Sequence, residues 1–133
     1  MGVKNYNTGI AAEYYVLSML FRKGYEAYLT LGNKKSVDIR VVGASNTITI
    51  DVKAVQGYSS LIVNNVTSIP NHYIVFLIYN NKFDDVSYIP EVYIVPSQEI
   101  QLLSKMFGDQ ARIFKGAIET YKDKWSLIHE VLA

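Results

Sequence analysis

The sequence contains two neighbouring segments that alternate between apolar and polar residues, and this pair constrains the fold more than any other feature. The first is VDIRVV at residues 37–42, and the second is TITIDVKA at residues 47–54. Alternation with a period of two is typical of a β-strand with one buried face. The residues between the segments, GASN, favour a tight turn. The pattern predicts a β-hairpin with coincident polar faces, which brings Asp38 close to Asp51 and Lys53 at one open end of a sheet.

The remaining periodicities predict a single mixed α/β domain over residues 1–133. Residues 8–23 carry apolar side chains at helical spacing, with Thr8 as the expected N-cap, and predict a first helix. Further strands are expected at residues 25–31, 61–63, 73–79 and 92–96. Further helices are expected from Ser97 to about Phe107 and along the C-terminal tail, where Ile118, Tyr121, Trp125, Ile128 and Leu132 recur at helical intervals. The expected architecture is a small mixed β-sheet flanked by helices.

Composition excludes several classes of protein. Half of the residues are hydrophobic and 19% are charged, which is typical of a globular chain and not of a disordered one. The absence of cysteine excludes disulfides and thiolate zinc sites. The N-terminal MGVKNYNTG lacks the apolar run of a signal peptide, and the longest apolar run, YIVFLIY, is too short to span a bilayer. We therefore expect a cytoplasmic protein that does not enter a membrane.

The net charge of +1 gives the chain no general basic excess. Because proteins that coat DNA usually show such an excess, any role with nucleic acid must depend on a local patch. Four residues near the hairpin are candidates for contacts with nucleic acid, namely Lys34, Lys35, Arg40 and Gln56. For the two lysines, a solvated loop is an equal alternative.

The polar face of the hairpin has the chemistry of a metal site. Asp38 and Asp51 would repel one another unless a cation lay between them, and carboxylate oxygens are ligands that Mg²⁺ prefers. Such an ion could neutralise a phosphate and activate a water molecule. Lys53 could then hold or deprotonate that water while its charge stabilises the phosphorane.

This arrangement resembles the motif of the PD-(D/E)xK nuclease superfamily, which has the restriction-endonuclease-like fold with a core order of α-β-β-β-α-β. The resemblance lies in Asp38 followed after a gap by Asp51-Val52-Lys53, and in a preceding helix that carries Glu13 within GIAAE. The order of GIAAE, KGYEAY, VDI and IDVK over residues 8–54 is most similar to the archaeal Holliday-junction resolvases. One departure is Val37, where the superfamily usually has proline.

The resemblance implies a metal-dependent nuclease that hydrolyses phosphodiester bonds, with DNA as the expected substrate and Mg²⁺ or Mn²⁺ as the cofactor. Asp38 and Asp51 would be metal ligands, Glu13 would reach the metal directly or through water, and Lys53 would be the catalytic lysine. A chain this small would be expected to act as a homodimer, which places two sites across two strands.

Other interpretations of the same residues remain open from sequence alone. Asp51 and Lys53 could form an exposed ion pair at a strand edge, and Glu13 could be an acid on the helix surface. The whole chain could be a non-catalytic interaction module of the same fold, or a subunit of a larger nucleic-acid-processing assembly. His72 is interpreted as a loop residue next to a strand, and His129 and Trp125 as packing residues of the last helix.

Overall fold

The structure, a computed structural model, describes residues 3–30, 38–58 and 60–133, with side chains from residue 6 onward. Its first half comprises helix α1 (Val3–Arg22) and strands β1 (Glu26–Leu29), β2 (Ile39–Val42), β3 (Thr47–Val55), β4 (Ser60–Ile62), β5 (His72–Ile78) and β6 (Glu91–Pro96). Its second half comprises a 3₁₀ helix (Ser97–Glu99), α2 (Ile100–Leu103), β7 (Lys105–Phe107), β8 (Gln110–Phe114), a second 3₁₀ helix (Lys115–Tyr121) and α3 (Ser126–Leu132).

The main sheet has five strands in the order β1-β2-β3-β5-β6. Strands β3 and β5 are parallel, and the other neighbouring pairs are antiparallel, so the sheet is mixed. The predicted hairpin is confirmed, because β2 pairs with β3 from Ile39 opposite Ile50 to Val42 opposite Thr47. The predicted fold class, a small mixed sheet flanked by helices, is also confirmed.

Both faces of the main sheet are covered, which buries every residue of β5. One face packs against α1 and α3, where Ala12, Val16 and Leu20 present a fully buried stripe at four-residue spacing. The other face packs its central residues, Ile74 and Phe76 among them, under a second layer. Burial on both faces explains why YIVFLIY is continuously apolar, whereas β3 alternates.

The second layer contains a small antiparallel sheet with the order β4-β8-β7. The predicted helix to about Phe107 is wrong beyond Leu103, since β7 and β8 form a hairpin around Gly108. Gly108 has a φ of 64°, a left-handed conformation that suits a glycine in a tight turn. Ile113 of β8 is fully buried against the main sheet, and this burial favours strand pairing over a longer helix.

The predicted core order α-β-β-β-α-β is wrong at its second helix. The described part of residues 56–71 contains β4 and turns, and no helix. Glycine, serine and asparagine in VQGYSSLIVNN favour turns over helix, and Leu61 is buried by pairing with β8. Among the described helices, none is both long enough and apolar enough to cross a lipid bilayer.

The two terminal helices also differ from their predicted bounds. Thr8 lies within α1 and is not its N-cap, because the helix begins at Val3. The C-terminal tail is divided, with Ile118 and Tyr121 in a 3₁₀ helix and only Ser126–Leu132 in α3. Asp123 has a φ of 52°, which interrupts a continuous helix at that point.

Candidate active site

Asp38 and Asp51 lie at the same end of the β2–β3 hairpin. The regular pairing ends with Ile39 opposite Ile50, and Asp38 directly precedes β2. The backbone N–H of Asp38 donates to the Ile50 carbonyl at 3.0 Å, whereas regular pairing would direct it to Asp51, so the ladder is irregular at this point. The position of the Asp38 carboxylate is therefore set by its side-chain contacts and not by the strand register.

The Asp38 carboxylate is held in place by the backbone of the neighbouring strand. Its Oδ2 accepts a hydrogen bond from the N–H of Val52 at 2.7 Å. Hydrogen bonds from an amide to an ionised carboxylate are stronger than those between neutral groups. The contact joins the two halves of the sequence motif directly, because Val52 lies between Asp51 and Lys53.

On its other side, Asp51 faces His72 of β5. The Nε2 atom of His72 lies 3.3 Å from Asp51 Oδ2, and its Nδ1 atom shares a 2.7 Å hydrogen bond with the Thr49 hydroxyl. His72 is only 2% exposed, and its Nε2 forms no hydrogen bond with any described residue. The buried imidazole is therefore fixed by Thr49 and directed at the Asp51 carboxylate.

The interpretation of His72 as a loop residue is wrong, since it is the first residue of β5 and is buried. The parallel register places it opposite Thr49, beside Asp51. In the sequence, His72 directly precedes the continuous apolar run YIVFLIY, and this position could have indicated a polar residue at the start of a core strand. The sequence does not reveal which strand lies next to it.

Lys53 lies two residues after Asp51 on the same face of β3 and is partly buried. The ion pair between Asp51 and Lys53 that sequence left open does not form, and the Asp51 carboxylate contacts His72. Within the described chain, no carboxylate lies within 4.0 Å of the Lys53 ammonium. The Lys53 side chain instead borders a cleft between β3 and the second sheet.

No protein-family model and no curated protein matches the chain. The bacterial homing endonuclease I-Ssp6803I superposes with a TM-score of 0.65 and 12% sequence identity, over 94% of this chain and 91% of that chain. The Holliday junction resolvase Hjc of Archaeoglobus fulgidus, an archaeal hyperthermophile, superposes with a TM-score of 0.58 and 14% identity, over 84% of this chain and 93% of that chain. The chain has the restriction-endonuclease-like fold.

Both structural neighbours have the PD-(D/E)xK nuclease fold, so the fold that the resemblance implies is confirmed. The motif covers residues 8–54 of the sequence, whereas the restriction-endonuclease-like fold extends over 94% of the chain. The superposition shows this fold although so few residues are identical. The roles of individual residues therefore rest on the geometry of this site.

Glu13, the fourth residue of the predicted site, lies on α1. It is partly buried, next to the buried Ala12. The described residues contain no group of three or more His, Asp or Glu side chains placed to share one metal ion. Both routes expected for Glu13, direct contact with the metal or contact through water, stay predictions.

Of the residues predicted to contact nucleic acid, Gln56 and Arg40 lie in different surroundings. Gln56 donates from Nε2 to the Thr8 hydroxyl at 2.6 Å, which joins the end of β3 to α1. Arg40 is exposed on β2, opposite Thr49. Lys34 and Lys35 lie outside the described residues. Arg112, which sequence analysis did not single out, borders the same cleft as Lys53.

Proposed function

We propose that the chain is a divalent-metal-dependent nuclease that hydrolyses phosphodiester bonds in DNA. The observation that carries the proposal is the hydrogen bond from the Val52 N–H to the Asp38 carboxylate, which brings Asp38 to the strand segment that carries Asp51 and Lys53. The fold is shared with a homing endonuclease and a Holliday junction resolvase, which supports a substrate of this class.

The donor atoms at the hairpin fit a hard divalent cation. Mg²⁺ is generally bound through one or two carboxylates and keeps several of its waters, so Asp38 and Asp51 suffice without a third acidic ligand. Asp38 is fixed by the Val52 N–H, and Asp51 lies next to the buried Nε2 of His72. Mg²⁺ or Mn²⁺ held by these carboxylates would supply a Lewis acid for the phosphate oxygen.

Each protein group has a distinct role in the proposed reaction. Lys53 donates a hydrogen bond to the attacking water or to the phosphate, and its ammonium stabilises the negative charge that develops on the phosphorane. His72, oriented by its hydrogen bond with Thr49, lies against the Asp51 carboxylate. Glu13 would reach the metal from α1, either directly or through a water molecule. Homodimer formation belongs to the same proposal.

The test is cleavage of a labelled panel, namely duplex DNA, single-stranded DNA, a four-way junction and RNA, with Mg²⁺, Mn²⁺ or EDTA. We expect metal-dependent cutting of DNA that falls by about 10²–10³-fold in Asp51→Asn and in Lys53→Gln. The matched control is Asp84→Asn, at an exposed loop position, which should cut like the wild type.

Failure of the wild-type protein to cut any substrate, together with failure to bind Mn²⁺, would overturn the proposal. The chain would then be a non-catalytic module of the nuclease fold. Cutting that survives both substitutions at the hairpin would place the reaction at another site.

A further inference from the structure

A cleft of about 410 Å³ lies between β3 and the second sheet, directly beside the candidate active site. Lys53 and the two residues that follow it form one side. Ser60 of β4 and Arg112 of β8 lie on the other side. The cleft therefore joins the candidate catalytic lysine to a part of the molecule for which the proposed reaction gives no role.

Arg112 is held on the second-sheet side of this cleft by neutral partners. Its Nη1 donates to the Ser60 hydroxyl at 2.8 Å, and its Nε donates to Gln110 Oε1 at 3.1 Å. A guanidinium group has five N–H donors in a rigid plane, so these two bonds fix its orientation and leave three donors for a ligand. Arg112 is thus oriented without being neutralised.

The two cations of the cleft have no acidic partner in the part of the chain that the structure describes. Neither Lys53 nor Arg112 lies within ion-pair distance of a carboxylate there. Both side chains are partly buried, where an uncompensated charge is unfavourable. An anion in the cleft would remove this imbalance, and the planar fork of arginine matches the oxygens of a phosphate group.

The outer face of the second sheet continues the same surface. Lys105 of β7 pairs with Arg112 of β8, so both cations project from one face. Phe107 and Phe114, 51% and 36% exposed, form an edge-to-face pair with ring centroids 5.7 Å apart. Basic side chains next to exposed aromatic rings are the combination that binds single-stranded nucleic acid, through phosphate contacts and base stacking.

We propose that this cleft binds a phosphodiester group of the substrate strand next to the one that is cleaved, with Arg112 as the binding residue. The second sheet is then part of the nucleic-acid interface and not only a cover for the core. The inference deepens the proposed nuclease function and rests on it for the identity of the adjoining phosphate.

The test measures binding of labelled DNA by fluorescence anisotropy in EDTA, so that no strand is cut, over a series of salt concentrations. Arg112→Gln should weaken binding about tenfold and lower the slope of log K against log salt by about 0.7–0.9, the change for one lost phosphate contact. Arg22→Gln is the matched control, since Arg22 is exposed at the end of α1 and should change neither quantity. Arg112→Lys keeps the charge and should retain most of the salt slope.

A merely structural role for Arg112 predicts another result, in which Arg112→Gln lowers the unfolding free energy but leaves the salt slope of the folded protein unchanged. That result, or absence of DNA binding by the wild type, would overturn the inference. If DNA binding depends on Arg112 but the protein cuts no substrate, the result would support phosphate binding in the cleft and refute the nuclease function. If the protein cuts DNA but the salt slope does not depend on Arg112, the result would refute phosphate binding in the cleft and leave the nuclease function standing.

Discussion

Two groups of charged side chains in this molecule are built in opposite ways. Glu91, at the start of β6, accepts a hydrogen bond from the Tyr93 hydroxyl at 2.9 Å and pairs with Lys115 at 3.0 Å and Lys122 at 3.9 Å. Lys53 and Arg112 face their cleft without any carboxylate partner among the described residues.

Charges that serve the fold differ from charges that serve a ligand in whether the chain itself supplies their partners. In the Glu91 cluster, burial alone would raise the pKa of the carboxyl, but hydrogen bonds from Lys115 and Tyr93 prevail and lower it. The charge of Glu91 is compensated within the chain. The Lys53 and Arg112 pair has no carboxylate partner among the described residues and is available to an anion from outside the chain.

The largest effect should come from neutralising one acid in each region, Asp51 at the candidate active site and Glu91 in the paired cluster. Asp51→Asn should lower the cleavage rate by about 10²–10³-fold with little change in stability. Glu91→Gln should leave cleavage unchanged and lower the unfolding free energy by about 1–2 kcal/mol, because the Tyr93 hydroxyl and Lys115 lose a charged partner. Rate assays and urea unfolding on both variants check this, and a large rate loss in Glu91→Gln would break the comparison.

An effect of intermediate size on the free energy of unfolding is expected at alkaline pH. Burial, followed by the hydrogen bond to Glu91, raises the pKa of Tyr93 above its ordinary value of 10.0. Since the folded chain holds this proton more tightly than the unfolded chain, the contribution to stability is complete below pH 10.0 and is lost as pH rises toward the folded pKa.

Urea unfolding between pH 8 and pH 11 tests this directly. Tyr93→Phe should give a shallower loss of stability with pH than the wild type. Glu91→Gln should retain most of the dependence, because burial is the larger cause. An unchanged pH profile in Tyr93→Phe would show that another group carries the alkaline transition.

The smallest effect concerns removal of one cation from each group. Lys115→Met should lower the unfolding free energy by less than about 1 kcal/mol, since the Lys115 and Glu91 side chains are 35% and 22% exposed. Lys53→Met should leave stability unchanged or slightly raised, because no described carboxylate loses a partner. Paired denaturant curves measure both, and a greater loss in Lys53→Met would show that Lys53 supports the fold.

Sequence predicted the parts of the fold that depend on local periodicity. The alternation of residues 37–42 and 47–54 predicted the β2–β3 hairpin. The continuous run YIVFLIY gave β5. In both cases neighbouring residues in the chain determine which side chains share a face, so a short window contains the information.

Contacts between distant segments could not be predicted in the same way. His72 meets Asp51 only because β5 pairs in parallel with β3, and Arg112 meets Ser60 only because β8 pairs with β4. No local pattern specifies either partner. The helix predicted through Phe107 failed for a related reason, since burial of Ile113 against the main sheet outweighed helix propensity.

The parallel pairing of β3 with β5 has a consequence for how activity is lost on heating. Parallel neighbours require a long connection, here through β4, and closing that loop lowers chain entropy before the contacts between the strands form. The Thr49, Asp51 and His72 constellation exists only once this non-local step is complete. We therefore expect the catalytic geometry to be all-or-none, with thermal inactivation following global unfolding of the sheet and not the earlier fraying of its ends.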